Sequence, residues 1–234
     1  MEQEAGPLSV LDMQFVQTIT LAEFARFAGE SAWLGNGRPP AERHWLHKLR
    51  CAMVRRGRDR LAGVVEVDEI FIGGERAGKR GRGAAGKTLV VIAAQHAEKG
   101  IGRIRLSRVE SAAGKDLGAA VQQMVEPGAE VHTDGWGGYN GLPSLGYQHK
   151  VIRETPDLGD NLLPLANRVA SLLKRWLLGT HQGAVQPSHL AYYLDEYTFR
   201  FNRRKSKLRG LLFYRLANQA IQTGPVLGSQ MTED

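Results

Sequence analysis

The chain has 234 residues, enough for one medium-sized domain with an appendage, and its 42% hydrophobic and 24% charged content is that of a globular protein able to bury a core. No apolar run approaches the roughly 18 to 20 residues that span a bilayer, the first residues carry glutamates where a secretory leader needs positive charge, and the single Cys51 excludes an internal disulfide or a multi-cysteine zinc site. From the lack of a spanning run and of a leader a cytoplasmic location and no membrane are expected, and a formal charge of +7 favours polyanionic partners, nucleic acid foremost.

Residues 1–60 read as an N-terminal helical segment. A loosely amphipathic pattern over residues 1–30 is broken by GNGRPP at Gly35–Pro40. It resumes at Glu42, with Trp45, Leu49, Ala52 and Met53 at helical spacing beside Arg43, Lys48, Arg50, Arg55 and Arg56. Residues 61–72 (LAGVVEVDEIFI) are too rich in valine and isoleucine for a favoured helix and are closed by Gly73 and Gly74, which predicts a strand. A basic, glycine-rich loop without an acid follows at Arg76–Lys87. Residues 87–95 (KTLVVIAAQ) and 101–109 (IGRIRLSRV) then complete a predicted antiparallel meander of three strands.

A helix is expected over residues 111–125, stopped by Pro127 and Gly128. A short strand (EVHT, residues 130–133) ends at Asp134, a further helix is expected after it, and Val151 and Ile152 suggest a fifth strand. Residues 165–178, 188–204 and 212–222 are helical by period, and 224–234 read as a tail. This order predicts an α/β, RNase H-like fold, in which a mixed five-stranded sheet is flanked by helices, with a C-terminal helical extension. The catalytic domain would cover residues 61–223. Fold alone names no function.

Asp68 lies within the first apolar strand, where an ionised carboxylate needs a cation or several donors to offset its desolvation. An edge-strand aspartate reaching water, or one paired with an arginine, would also satisfy it. Glu66 shares its face by alternation and Glu69 takes the other, so either glutamate is a surface residue or a further ligand. Asp134 ends a second strand and precedes GWGG, whose glycines let backbone or phosphate come close, although aspartate is also a common turn former. Two carboxylates brought to adjacent strand ends would make a hard-oxygen site suited to Mg²⁺. In LANRVASLLKRWLLGTH, Asn167 and Lys174 share a helix face two turns apart, and Leu165, Val169, Leu172, Leu173 and Trp176 form an apolar side that can pack on the sheet.

Together these segments resemble the DDE transposases of bacterial insertion sequences, within them the insertion-sequence family numbered 1595, with its ISXO-two-like transposase domain. The resemblance runs from Trp45 to about Ile221. It rests on LHKLR at Leu46–Arg50, VEVDEIFIGG at Val65–Gly74, the loop ending in GKT at Thr88, HTDGWGGY at His132–Tyr139, NRVASLLKRWLLGTHQG at Asn167–Gly183 and YLDEYTFRFNRR at Tyr193–Arg204, all in order.

The resemblance implies that Asp68 and Asp134 are the first two members of a catalytic triad and that Asn167, with Lys174 seven residues later, is the asparagine form of the third. Asp68, Asp134 and Asn167 would hold Mg²⁺ or Mn²⁺, as two ions, for DNA cleavage and strand transfer. Lys174 would offer a point charge to a phosphate. Arg76, Lys79, Arg80, Arg82 and Lys87, and Arg203, Arg204, Lys205 and Lys207 after a helix bearing Tyr193, Tyr197 and Phe201, would grip DNA phosphates. For those aromatics, core packing is the expectation over base stacking. Transposon ends and target DNA are the implied partners, with oligomerisation on DNA and association with the bacterial nucleoid.

Longer members of that family carry an upstream zinc-binding and helix-turn-helix region, for which this chain has neither the cysteines nor the length. Residues 1–60 are therefore expected to be a truncated or divergent DNA-binding region. Two other readings stay open: an inactive transposase-derived DNA-binding protein or regulator, and an RNase H-like nuclease acting on RNA hybrids or branched DNA.

Overall fold

Five apolar segments pair into one sheet in the computed structural model, which describes residues 49–55, 59–73, 87–153, 161–181 and 187–222. The strands are β1 (Val64–Ile72), β2 (Thr88–His96), β3 (Ile101–Val109), β4 (Glu130–Thr133) and β5 (Gln148–Val151), in the order β3-β2-β1-β4-β5. The meander β1–β2–β3 is antiparallel, as its short turn requires, whereas β4 and β5 add in parallel beside β1. This is the mixed, helix-flanked sheet of the RNase H-like arrangement.

Alternation divides each strand between two cores. Val65, Val67, Leu89, Val91 and Ala93 join a cluster with Leu117 and Val121 of α1 (Gly114–Met124). Ile70, Val90, Ile92, Ala94, Ile104 and Leu106 join a second with α2 (Pro164–His181) and α3 (Leu190–Asn202). β2 is buried on both faces, which explains its unbroken apolar run. The outer strand β3 is covered in part by Asn202, whose Oδ1 accepts the Ile104 N–H at 2.7 Å and whose Nδ2 donates to the Ile104 carbonyl at 3.0 Å.

Leu173 of α2 is fully buried in the second cluster. Leu173→Ala is expected to cost about 2 to 5 kcal/mol, read from the shift in a urea unfolding midpoint at unchanged slope.

Two expectations are corrected. The fifth strand occupies Gln148–Val151 instead of Val151 and Ile152; it is an outer strand with Gln148 and Lys150 exposed, so apolar content marks only its end. No α-helix separates β4 from β5. Two 3-10 turns, Gly137–Tyr139 and Pro143–Leu145, occupy that stretch, because the glycines and Pro143 disfavour anything longer. The helices expected over residues 1–30 and through Lys48, the loop 74–86 and the tail lie outside the described residues.

By its contacts the chain divides into Val54–Asn202, which holds the whole sheet, and a second unit of Met1–Met53 with Arg203–Asp234. In the second unit residues 49–53 are helical and α4 spans Arg209–Gln222. Among the described residues no helix is long and apolar enough to cross a membrane.

Candidate active site

In the sheet order β1 lies between β2 and β4; Asp68 pairs with Ile92 of β2, stands two residues beyond the last pair with β4 (Glu66 with His132), and is half-buried. By alternation it shares with Ile70 the face covered by α2 and α3. The parallel pairing of β1 with β4 matches Val64, Val65 and Glu66 to Glu130, Val131 and His132. Counted on by two residues, that register runs to Asp68 and to Asp134, the residue after β4, and the Asp134 charge acts on the Asp68 carboxyl.

Asp134 stands where β4 gives way to a tight turn. Its Oδ1 accepts the Trp136 N–H at 3.0 Å, and Gly135 takes a positive φ of 87° where a Cβ would lie 2.8 Å from Val151 Cγ1. At Gly138 a Cβ would lie 2.7 Å from Leu117 Cδ1 and 2.8 Å from the Ala112 carbonyl oxygen. These glycines thus admit the protein's own backbone and side chains. Trp136 Nε1 donates to the Ala112 carbonyl at 3.2 Å, and the buried Tyr139 hydroxyl donates to Glu69 Oε2 at 2.9 Å, tying the turn to β1. Burial, with the Glu69 charge and hydrogen bond behind it, pushes the Tyr139 hydroxyl far above the usual phenol range, so it stays a donor.

Asn167 and Lys174 are both exposed on α2, the helix that packs against β1 and β2. The Asn167 amide nitrogen donates to Asn161 Oδ1 at 2.8 Å. Glu66 is not a surface residue, and both of its oxygens are engaged within the protein. It is 2% exposed; its Oε2 accepts the Leu165 and Ala166 N–H groups at 2.7 and 3.0 Å, and its Oε1 lies 3.0 Å from His96 Nε2. Sequence reading left the role of both glutamates open. The signal was a charged residue between Val65 and Val67 in a valine-rich stretch of strand, a place that demands partners.

Burial, then the charges of Glu69, Asp134 and Glu66, raise the Asp68 carboxyl to about 6 against the hydrogen bond from the Glu69 N–H to Oδ1 at 2.8 Å. Among the described residues no hydrogen bond reaches Asp68 Oδ2, Asp134 Oδ2 or Asn167 Oδ1. Two carboxylate oxygens and an amide oxygen are hard donors, and a divalent cation would relieve the repulsion that raises Asp68. No three His, Cys, Asp or Glu side chains gather as a metal site among the described residues.

Lys87 is exposed at the start of β2, while Arg76, Lys79, Arg80 and Arg82 lie outside the described residues. Arg203 is half-buried and Arg204, Lys205 and Lys207 are exposed after α3. Tyr197 and Phe201 are buried in the second core, Tyr197 stacking with Trp176 at 5.4 Å and Phe201 at 5.9 Å, and Tyr193 packs against them. These aromatics serve packing.

Comparison with solved structures finds Mos1 assemblies among its matches. The Mos1 strand transfer complex is 13% identical, covering 76% of this chain and 62% of that one, with a TM-score of 0.28. The Mos1 paired-end complex with left transposon end is 15% identical over 76% and 62%, with a TM-score of 0.27. The Mos1 mariner paired end complex with Mn is 13% identical over 76% and 63%, at 0.26. These scores are too low to define the fold, which rests on the strand order above, and the chain spans less than two thirds of the length of those Mos1 chains. No functionally curated protein matches at a significant level. The family model of the ISXO2-like transposase domain, in contrast, matches residues 60–202, which include Asp68, Asp134 and all of α2. With more than half of its residues inside that match, the chain belongs to the ISXO2-like transposase domain family.

Proposed function

We propose that this chain is a transposase that cuts and joins the DNA of an insertion sequence, using an Asp-Asp-Asn-Lys set formed by Asp68, Asp134, Asn167 and Lys174. The observation that supports it most is the parallel register of β1 and β4, which, counted on by two residues from its last pair, runs to Asp68 and Asp134, both inside the family match.

Two divalent ions, Mg²⁺ or Mn²⁺, would supply activation of the attacking oxygen and charge neutralisation on the leaving oxygen of an in-line phosphoryl transfer. Asp68 and Asp134 would hold them with Oδ2 atoms that no hydrogen bond engages among the described residues. Asn167 would add a neutral oxygen, giving this site less negative charge than three carboxylates and a weaker hold on metal. Lys174, exposed two turns along the same helix face, would meet a DNA phosphate near the scissile one. Lys87 and the basic segments around it and after α3 would grip the backbone without reading sequence. Transposon ends and target DNA would be the substrates, with oligomerisation on DNA.

The test is incubation of the purified chain with duplexes carrying the inverted repeats that flank its gene. Nicked and strand-transferred products are expected with Mg²⁺ or Mn²⁺ and none with chelator. Salt-sensitive binding without cleavage would favour the DNA-binding remnant, and cleavage confined to RNA hybrids or branched DNA would favour the nuclease. Cleavage that persists in chelator would sink the metal-dependent reading.

A further inference from the structure

The first turn of α2 is held from a distance. Its first residue, Pro164, has no N–H; the Leu165 and Ala166 N–H groups both donate to Glu66 Oε2, at 2.7 and 3.0 Å; and the Asn167 N–H begins the helical ladder at the Leu163 carbonyl, 2.9 Å away. The anion at this helix N-terminus is therefore not a local cap. It comes from the central strand, about a hundred residues earlier, on the same face as Asp68 and two residues before it.

The carboxylate is itself held. Its second oxygen lies 3.0 Å from His96 Nε2, the His96 and His132 rings meet edge to face at 5.8 Å, and His132 Nε2 lies 2.6 Å from Glu130 Oε1. With both oxygens engaged, Glu66 has little left for a metal ion. It can still fix where the helix begins, and Asn167 is the residue immediately after the second pinned N–H.

We propose that Glu66 is a positioning residue of the active site: by pinning the first turn of α2 to β1 it sets Asn167 relative to Asp68. The inference rests on the DNA-cleaving function argued above. The apolar packing that otherwise joins strand and helix on this face is non-directional, whereas two hydrogen bonds from successive N–H groups to one carboxylate fix direction and distance.

The test uses the full chain with three substitutions. Glu66→Gln keeps an acceptor oxygen at the same reach, Glu66→Asp keeps the charge but draws it back by one methylene, and Glu66→Ala removes both. Two readouts are needed: hydrogen exchange at the Leu165 and Ala166 amides without metal or DNA, and metal-dependent cleavage, alone and combined with Asn167→Ala. Glu66→Asp and Glu66→Ala are expected to speed exchange at those two amides and to lower cleavage between about 10- and 100-fold, while Glu66→Gln retains most of both. In the Asn167→Ala background the same changes should lower cleavage by less than about 3-fold further, because the residue acted upon is gone.

Should Glu66→Ala not fold, Glu66→Asp decides. Full amide protection in Glu66→Asp, or a cleavage loss that multiplies with that of Asn167→Ala, would overturn the proposal. A wild-type chain that cleaves no DNA would instead remove the transposase reading, while the exchange data would still judge the pin.

Discussion

Asp68→Asn is expected to make the metal-free protein more stable at neutral pH while lowering cleavage by at least about 10³-fold. The carboxyl is raised to about 6 from an ordinary 3.8, first by burial and then by neighbouring negative charge. An acid whose folded value is raised contributes stability that is fully present below about pH 4 and is lost as pH climbs through 6. At pH 7 the ionised group therefore opposes folding by as much as about 3 kcal/mol. Asparagine keeps an oxygen for the Glu69 N–H and carries no charge, so it removes that cost.

Urea unfolding in chelator should accordingly show Asp68→Asn more stable than wild type by about 1 to 3 kcal/mol at pH 7, with the difference vanishing near pH 4. Saturating Mn²⁺ should stabilise wild type more than the variant. The catalytic loss follows because the several kcal/mol of charge stabilisation supplied at such a centre depend on its anionic ligands. A variant less stable than wild type at pH 7, or one that cleaves normally, would contradict this account of Asp68.

Asn167 should respond in both directions. Asn167→Ala removes one oxygen donor and is expected to lower cleavage about 10²- to 10³-fold at saturating metal, in the range seen when one pre-aimed polar group is lost from a reacting centre. Asn167→Asp adds a charge and should lower the Mn²⁺ concentration for half-maximal cleavage by about tenfold, on the order of 1.4 kcal/mol. Metal titrations of the three proteins on one DNA substrate give both numbers. An Asn167→Ala enzyme with wild-type rate and metal requirement would remove Asn167 from the site.

Much of the fold was legible because its strands carry their own periodicity. β2 reads as an unbroken apolar run since both faces are buried, and β1 sends valine and isoleucine to both cores with Glu66, Asp68 and Glu69 interrupting the run. β5 was placed three residues late, since QHKV at an outer position shows little apolar pattern. The helix expected after Asp134 gave way to 3-10 turns, since the tertiary demands on Gly135 and Gly138 are not visible in spacing.

Within the site, the two aspartates could be named from their positions at strand centre and strand end, but the parallel pairing of β1 with β4 that runs toward both joins segments far apart in sequence. The tie between Glu66 and the first turn of α2 was hidden for the same reason: its partners are backbone N–H groups, and no residue type announces them. Glu69 likewise finds its partner, Tyr139, only once β4 lies beside β1.

Anomalous scattering from Mn²⁺ in crystals of the protein bound to its DNA would test the metal site most directly. The expected density lies about 2.0 to 2.6 Å from oxygens of both Asp68 and Asp134, with the Asn167 amide oxygen or a DNA phosphate completing the shell. Manganese bound elsewhere while the two carboxylates stand apart without an ion between them would contradict it.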